Sequence, residues 1–331
     1  MKAFFPTLFL IFLAQPSIAG DAPQLTLPLA CTPGKDCFIQ QYVDVQPGPG
    51  AKDYRCGTAT YEGHDGTDFR VLSVAAATAG VSVLAAAAGR VKGARDSMDD
   101  RLLATPEDRA MVKGRECGNG VLIDHGEGWE TQYCHMRRGS VKVHEGDSVA
   151  AGTPLGLVGF SGNAQFAHLH LSVRQNGKAI DPFLGRPISG TCLSGDAPIP
   201  SSLWTAAVRD QLTYQDATII ETGFAAGPVS PEEAEKGGIT PPKPESAALV
   251  FYARLINMRQ GDSLRFSTEG PGDFSAANDS EPLPRPKAQY VGFIGKKRTG
   301  ERWLAGLYQG RVTVIRQGAV IGEANAALRL P

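Results

Sequence analysis

Residues 166–173 read Phe-Ala-His-Leu-His-Leu-Ser-Val. Its residues alternate in polarity with period two, which is the pattern of a β-strand with one buried face. On such a strand His168 and His170 project from one face, while the leucines beside them project from the other and pack into a core. Two imidazoles side by side on one strand can form half of a metal site.

The candidate second half lies earlier in the chain, where residues 63–69 read Gly-His-Asp-Gly-Thr-Asp-Phe. Gly66 stands between His64 and Asp68, and a glycine there allows the backbone to bend so that both side chains reach one ion. With His170 they make a set of two nitrogens and one oxygen. Catalytic zinc sites use such a set and keep the fourth tetrahedral position for water.

Composition limits the class of protein. The chain has 331 residues, enough for two domains, and its 39 glycines and 23 prolines indicate many turns and therefore short strands. A formal net charge of -1 gives no sign of a phosphate-neutralising surface, which argues against a nucleic-acid-binding protein. After the N-terminus no segment is apolar for long enough to predict a transmembrane helix.

The N-terminus has the organisation of a secretory signal. Lys2 precedes an apolar run that ends at Leu13, and residues 17–19 (Ser-Ile-Ala) form a small-x-small cleavage site. We therefore predict a signal peptide over residues 1–19 and a periplasmic or secreted mature protein. The apolar run is too short to span a bilayer comfortably, and no cysteine follows the cleavage site, so a lipoprotein anchor is not indicated.

The six cysteines all lie in the first two thirds of the chain and predict disulfides in an exported protein. No Cys-x-x-Cys pair is present, so a thiolate zinc site is not expected. Spacing favours two pairs, and the third follows by elimination. The pairs are Cys31 with Cys37 around a Pro-Gly turn, Cys117 with Cys134 across a predicted hairpin, and Cys56 with Cys192.

The pattern of the mature chain divides it into three parts. Residues 20–58 form an irregular segment that contains cysteines, and residues 59–195 form a domain of short strands. A charged stretch at 94–116 interrupts that domain as an insertion, which either walls the candidate site or lies away from it. Residues 205–331 predict a small immunoglobulin-like β-sandwich, because several short strands follow one another with regular turns.

The C-terminal part contains no histidine and no cysteine, so we interpret it as an accessory module, with a protein partner as one role for it. A stretch rich in proline and glycine at 223–245 is predicted to be a linker or a long loop. The strands that follow are predicted at 248–256, 263–267, 289–294, 310–316 and 320–330.

The order of the histidine motifs resembles that of the lysostaphin/LytM-type zinc metallopeptidases, also called β-lytic metallopeptidases. The motifs are His64-x3-Asp68, then Tyr133-Cys134-His135, then His168-Leu169-His170. The glycine-rich strand and turn at 120–128 and the hairpin at 145–162 also resemble that family, so the resemblance covers roughly residues 60–183.

The resemblance implies a mainly β protein: an antiparallel β peptidase domain of the duplicated-hybrid-motif kind, followed by the small β-sandwich. It implies that His64, Asp68 and His170 bind one Zn²⁺ per chain. His135 and His168 would then act on the water at the zinc as general base or acid, or stabilise the oxyanion. No His-Glu-x-x-His motif is present, so histidines must move the proton.

The resemblance also implies the substrate, the peptide part of bacterial peptidoglycan, and hence an exported zinc metalloendopeptidase that cuts stem peptides or cross-links. Tyr133 and His135 are expected on one face of their strand, with Cys134 facing away from the metal. His125 and His144 have no partner in the motif and are expected to be structural or solvated.

Two other functions stay open. One is a non-catalytic LytM-like regulator that activates cell-wall amidases, and the other is a peptidase that acts on proteins outside the cell. Which peptidoglycan bond is cut, whether the N-terminal segment or the insertion inhibits the site, and the oligomeric state do not follow from the sequence.

Overall fold

The computed structural model describes residues 22–195 and 199–331. The predicted signal peptide at 1–19 lies outside the described residues. The described chain is built mainly of antiparallel strands, which confirms the predicted fold class. Among these residues, no helix has the length and apolar character needed to cross a bilayer.

The first half of the chain forms eleven short strands. They are β1 (Cys37–Gln41), β2 (Thr67–Val71), β3 (Ser82–Leu84), β4 (Gly89–Arg95), β5 (Asn119–Gly126), β6 (Trp129–Met136), β7 (Ser148–Val149), β8 (Pro154–Leu157), β9 (His168–Gln175), β10 (Lys178–Asp181) and β11 (Arg186–Pro187). Two helices interrupt them, α1 (Val74–Gly80) and α2 (Pro106–Met111). Helix α2 lies in the 94–116 insertion.

The second half contains longer strands and two more short helices. The helices are α3 (Ala206–Arg209) and α4 (Pro231–Lys236), and the strands are β12 (Thr218–Ala225), β13 (Ala248–Met258), β14 (Ser263–Glu269), β15 (Ser275–Asp279), β16 (Lys287–Lys297), β17 (Gly306–Arg316) and β18 (Ala319–Leu330). Strand β15 was not predicted from the sequence.

The histidine strand β9 lies inside a nine-stranded sheet whose main path runs β1-β2-β9-β6-β5-β4-β7. Strands β10 and β11 join this sheet at β9, while β3 and β8 form a separate pair. Leu169 and Leu171 are fully buried in the core on one face of β9, as the alternating pattern predicts. The neighbours of β9 are β2 and β6, so the three segments that carry candidate site residues lie side by side.

The C-terminal strands form two sheets, β12-β13-β16 and β15-β14-β17-β18. Side chains from both sheets share one core, which includes Phe251, Leu264, Phe266 and Val312. This core is separate from the core around β9.

The stretch at 223–245 is not simply a linker, and this part of the prediction is wrong. Strand β12 runs into it, and helix α4 forms at its centre. Ser230 caps α4 and Glu233 returns a hydrogen bond to the cap, with Pro231 in the first turn and Gly237 (φ 77°) at the end. This is a complete set of helix start and stop signals, and it outweighs the proline and glycine content that suggested a loop.

The described cysteines pair as Cys31–Cys37, Cys56–Cys192 and Cys117–Cys134. These are the pairs that spacing and elimination favour. The first pair lies beside Asp36, but because both sulfurs are in a disulfide this group offers no thiolate to a metal.

Candidate metal centre

Three side chains bring their donor atoms together at the junction of β2 and β9. Asp68 Oδ1 lies 2.8 Å from His170 Nδ1 and 3.2 Å from His64 Nε2, and the two nitrogens are 3.1 Å apart. Ligand atoms bound tetrahedrally to one Zn²⁺ at about 2.0–2.1 Å would be roughly 3.3 Å apart. The chain therefore places these three atoms close to the spacing that one zinc ion requires.

The register of the sheet positions two of the three. Asp68 on β2 is paired with His170 on β9, and Arg70 is paired with His168 two residues along. Directly paired residues on antiparallel strands point to the same face, so the carboxylate meets the imidazole without any loop between them. His64 reaches the same point from the segment just before β2.

Gly66 has a different role from the one that the sequence suggested. A Cβ at Gly66 would lie 2.5 Å from His170 Nε2 and 2.8 Å from the carbonyl oxygen of Leu171. Contacts this short do not occur in real structures, so the glycine is required because the ring of His170 lies against the backbone. Its φ is outside the left-handed region, and no unusual bend needs it.

The remaining nitrogens of the two histidine ligands are held by other groups. His64 Nδ1 lies 2.7 Å from the carbonyl oxygen of Tyr42, which can only accept, so Nδ1 carries the proton. His170 Nε2 lies 3.0 Å from Ser172 Oγ and 3.3 Å from Asp65 Oδ1. Partners of this kind fix the ring orientation of metal-binding histidines, so that His64 Nε2 and His170 Nδ1 are the nitrogens directed to the centre.

His168 and His135 lie beside the three candidate ligands. His168 Nε2 is 3.6 Å from Asp68 Oδ1, and the rings of His168 and His135 have centroids 4.6 Å apart. His168 Nδ1 donates to the carbonyl of Phe166, and His135 Nδ1 donates to the carbonyl of Ser161, each at 2.8 Å. In both rings Nε2 is the nitrogen left to exchange a proton.

The predicted faces of β6 are wrong. Tyr133 points into the core, where its hydroxyl oxygen accepts from the backbone N–H of Ala86 at 2.7 Å. Cys134, predicted to face away from the metal, is paired with His170 and lines the groove. His135 reaches the site although it follows Cys134, because its backbone has a φ of 62° in the left-handed region. This breaks the alternation on which the prediction was based.

Burial keeps two of the histidines neutral. Burial, reinforced by the nearby charges of His168 and His170, holds the pKa of His135 well below its ordinary value. Burial also lowers the pKa of His168. Both rings are therefore neutral near pH 7 and can accept a proton.

The candidate ligand residues shift one another's pKa values. Burial alone would raise the pKa of Asp68, but attraction to His64 and His168 when those rings are protonated, with the hydrogen bonds from His64 and His170, holds it well below its usual range. Burial would lower the pKa of His170, but its hydrogen bonds to Asp65 and Asp68 outweigh this and raise that pKa to about 9. The carboxylate is thus ionised, as a metal ligand must be.

The groove over the site has two ends. A cavity of about 310 Å³ on one side is lined by Tyr61, Asp65, Glu116, Gln132 and Arg174, among others. A cavity of about 540 Å³ on the other side includes Gln41, Arg109, Gln165, Phe166 and Gln289. The insertion at 94–116 therefore walls the groove, because Arg109 and Glu116 belong to it. The C-terminal half also reaches the groove, through Gln289 of β16.

The last two histidines do not join the cluster. His125 bonds to the carbonyl of Ala88 at 2.7 Å and lies 2.8 Å from Thr131 Oγ1, which is a structural role. His144 has an 89% exposed side chain. The groups that sequence reasoning missed are Asp65, Ser172 and the carbonyls that orient the rings. Asp65 and Ser172 adjoin the motif residues, but nothing in their pattern singled them out.

Residues 62–182 match the profile of a known family, described as "Peptidase family M23". This part of the chain resembles peptidase family M23. The match contains all five candidate residues, and the resemblance to lysostaphin/LytM-type peptidases is confirmed.

Three relatives match the chain over shorter stretches. Cell division protein DipM of Caulobacter vibrioides is 36% identical over 76 residues, which is 21% of this chain and 12% of DipM. DD-carboxypeptidase/endopeptidase Mpg of Neisseria meningitidis is 35% identical over 81 residues, 24% of this chain and 18% of Mpg. Murein hydrolase activator EnvC of Escherichia coli is 32% identical over 102 residues, 30% of this chain and 23% of EnvC. The chain thus spans less than a quarter of the length of each relative.

Proposed function

We propose that this protein is an exported zinc metalloendopeptidase that hydrolyses peptide bonds in the stem peptides or cross-links of peptidoglycan. The observation that carries the proposal is the completeness of the cluster. Three donor atoms, two of them on buried residues and one on the partly buried His170, lie within 3.2 Å of one another. Two further buried histidines stand beside them, each with its second nitrogen anchored. The similarity to the endopeptidase Mpg supports the reaction class.

In this proposal His64 Nε2, Asp68 Oδ1 and His170 Nδ1 hold one Zn²⁺. Bound there, zinc supplies a Lewis acid that polarises the scissile carbonyl and makes water a stronger nucleophile at neutral pH. The chain contributes a rigid, largely buried ligand set whose outer hydrogen bonds are made by Tyr42, Asp65 and Ser172. In other metal sites, mutation of such partners typically lowers metal affinity or activity by roughly 10- to 100-fold.

His135 and His168 are the proton-transfer groups. Burial disfavours their charged forms, so each is ready to take a proton from the attacking water and later give it to the leaving amine. The carbonyls of Ser161 and Phe166 hold Nδ1 of the two rings and keep Nε2 free for this exchange.

Two features support the substrate and the compartment. The groove carries both signs of charge, with Arg109 on one side of the cluster and Asp65, Glu116 and Arg174 on the other. Peptidoglycan peptides carry both free carboxylates and free amines, so such a groove suits them. Three disulfides fit an oxidising compartment outside the cytoplasm. We further propose that 59–195 and 205–331 are two domains, since strands β2 to β11 pack around one core and strands β12 to β18 around another. Val208 and Leu212, at the start of the second range, pack into the first core.

A second candidate is a non-catalytic regulator of cell-wall amidases. The similarity to the activator EnvC favours it, as does the wall that the insertion builds beside the cluster. A regulator has no need of five converging donor groups, which is why we place this function second.

Digestion of purified sacculi by the mature chain tests the proposal, with products identified by mass spectrometry and zinc measured by metal analysis. We expect one zinc per chain, released peptides, and loss of release with a chelator or with His168→Ala. His144→Ala, which changes an exposed histidine, is the matched control and should cleave normally. Intact sacculi with bound zinc would overturn the wall-hydrolase proposal. Cleavage of casein alone would indicate a peptidase for extracellular proteins, and zinc-free protein that stimulates an amidase would indicate the regulator.

A further inference from the structure

A buried ion cluster lies beside the start of the histidine strand and joins the two halves of the chain. Arg70 of β2 has a fully buried side chain, and its Nη2 donates to Glu235 Oε2 of α4 at 2.7 Å. Arg254 of β13 donates to the same oxygen at 3.2 Å. A buried charge is tolerated only when it is paired, so these three side chains depend on one another.

The second oxygen of Glu235 contacts the strand that carries the site. Glu235 Oε1 accepts from the backbone N–H of Ala167 at 3.3 Å. Ala167 is the residue immediately before His168. One carboxylate from the C-terminal half therefore touches both Arg70 and the backbone at the start of β9.

A second path leads from Glu235 to the ring of His168. The guanidinium of Arg70 lies over the ring of Phe166, 5.2 Å from its centroid. The Phe166 ring stacks on the His168 ring with centroids 4.2 Å apart. The carbonyl of Phe166 accepts from His168 Nδ1, which fixes the tautomer. Phe166 orients His168 in two ways, because its ring stacks on the imidazole and its carbonyl accepts from Nδ1. Arg70 in turn supports the ring of Phe166.

Arg70 keeps its place because Glu235 neutralises it. Its other contacts are neutral: Nη1 donates to Gln40 Oε1 at 2.5 Å and Nε to the carbonyl of Val71 at 3.2 Å. Arg254 is a second cation in the same cluster and repels it. Without the carboxylate, two buried guanidinium groups would share one region, and Arg70 would have to shift or admit water.

We propose that Glu235 is a positioning residue for His168, so that the C-terminal half completes the M23 site. Its carboxylate holds Arg70 and the Ala167 backbone, and these hold Phe166 and the ring of His168. Glu235 does not touch the substrate. The inference rests on the proposed function in that it treats His168 as a proton-transfer group.

The chain offers a matched control for this proposal. Glu221 also pairs with Arg254, with Arg254 Nη1 donating to Glu221 Oε2 at 2.8 Å, and it accepts from the hydroxyl of Tyr252. No hydrogen bond described for Glu221 reaches residues 166–168. Glu235→Gln and Glu221→Gln each remove the charge of a carboxylate that pairs with Arg254. Only Glu235 also bonds Arg70 and the Ala167 backbone, whereas Glu221 acts on Arg70 through its charge alone.

The experiment uses the full mature chain and compares kcat and KM on a soluble muropeptide with the thermal midpoint of unfolding. Long-range ¹H–¹⁵N NMR of the imidazoles reports which nitrogen of His168 carries the proton, and it needs no activity. We expect Glu235→Gln to lower kcat about tenfold with KM changed less than twofold, and to move the His168 ring signals. Glu221→Gln should change the thermal midpoint alone.

Equal losses of stability in both variants, with kcat and the His168 signals unchanged, would overturn the proposal and leave Glu235 as a purely structural contact. If Glu235→Gln does not fold, Glu235→Asp keeps the charge but withdraws the carboxylate from Ala167. Unchanged kcat and ring signals in that variant would also overturn it. If the wild-type chain does not cleave muropeptides, the proposed function fails, and the NMR comparison alone decides the positioning role.

Discussion

Asp68 and His170 face one another across β2 and β9, with 2.8 Å between Asp68 Oδ1 and His170 Nδ1. Because they are paired in the ladder of a sheet, their separation is fixed by backbone hydrogen bonds on both strands. His64 is added from the segment before β2, where the Tyr42 carbonyl orients its ring. The candidate ligand set is thus organised by the fold before any ion arrives, and this leads to the first prediction.

Asp68→Asn is expected to weaken zinc binding at least about 100-fold, because it replaces the one anionic donor with a neutral amide. Hydrolysis should fall in parallel. The measurement is a competition titration with a chromogenic chelator, with His144→Ala as a control that alters an exposed histidine. Zinc affinity equal to that of the wild type would show that Asp68 is not a ligand.

Gly66→Ala tests the close approach of His170 to the backbone. The added Cβ would lie 2.5 Å from His170 Nε2, so we expect the ring to be displaced and zinc content to drop to a minor fraction. Gly93→Ala is the matched control, since a Cβ there has no neighbour within 4 Å and its φ is ordinary. The check is metal analysis of both purified variants. Full zinc occupancy in Gly66→Ala would mean that the loop yields at no cost to the site.

The β9 strand and its histidines could be predicted from sequence because their pattern is local. Alternation over a few residues specifies both the strand and its buried face, and the core contacts of Leu169 and Leu171 agree. The His-x3-Asp spacing also located the segment with His64 and Asp68. The donor chemistry of a catalytic zinc site suggested that the two segments meet, and the resemblance to a family supported it, because no local rule gives the register between β2 and β9.

The features that the sequence-based predictions did not find have physical causes. His135 adopts a left-handed φ that no residue-type rule predicts for histidine, and this reversed the expected faces of β6. Helix α4 was hidden in a stretch read by composition, although its capping signals are local. The contact of Glu235 with Arg70 joins residues far apart in sequence, and a buried ion pair leaves no periodic signal.

His135→Ala is expected to reduce kcat by about 10²- to 10⁴-fold while zinc content stays near one per chain, because His135 is a proton-transfer group and not a ligand. The smaller side chain leaves the Ser161 carbonyl without its donor, so stability should be compared as well. Single-turnover cleavage of a muropeptide and metal analysis on the same sample make the test. Loss of zinc together with activity would instead assign His135 to the metal.

Removal of the Cys117–Cys134 disulfide should lower the free energy of unfolding by about 3 kcal/mol, the loop-closure value for its separation of 17 residues. The backbone N–H of His135 donates to the carbonyl of Cys117 at 2.8 Å, so the loss should also loosen His135 and reduce kcat. The control is the Cys31–Cys37 pair, which closes six residues and should contribute about 2 kcal/mol with no effect on kcat. Denaturant unfolding of the two double-alanine variants gives both values, and equal kcat in the two would contradict the link to His135.

Asp181 predicts how stability depends on pH. Its side chain is buried at the end of β10, where Oδ1 accepts from the backbone N–H groups of Phe183 and Leu184 and Oδ2 has no partner among the described residues. Burial, reinforced by the charge of Asp53 and only partly offset by the two backbone donors, raises the pKa of Asp181 to about 7. In the unfolded chain the value is about 3.9, so between these pH values the folded state binds more protons than the unfolded state. The contribution of Asp181 to the free energy of unfolding is therefore fully present at acidic pH and is lost as the pH rises from about 4 to about 7.

Asp181→Asn keeps the shape and the Oδ1 acceptor but cannot ionise. We expect the difference in unfolding free energy between this variant and the wild type to move in favour of the variant as pH rises, with a slope of up to about 1.4 kcal/mol per pH unit. Above about pH 7 the difference should be constant, because the wild-type carboxyl is then ionised in both states. Urea unfolding of both proteins from pH 4 to pH 8 measures this difference directly, and contributions from other titrating groups cancel in it. A difference that stays flat across this range would show that the buried carboxyl is already ionised at pH 4, and that the hydrogen bonds from Phe183 and Leu184 outweigh the cost of burying its charge.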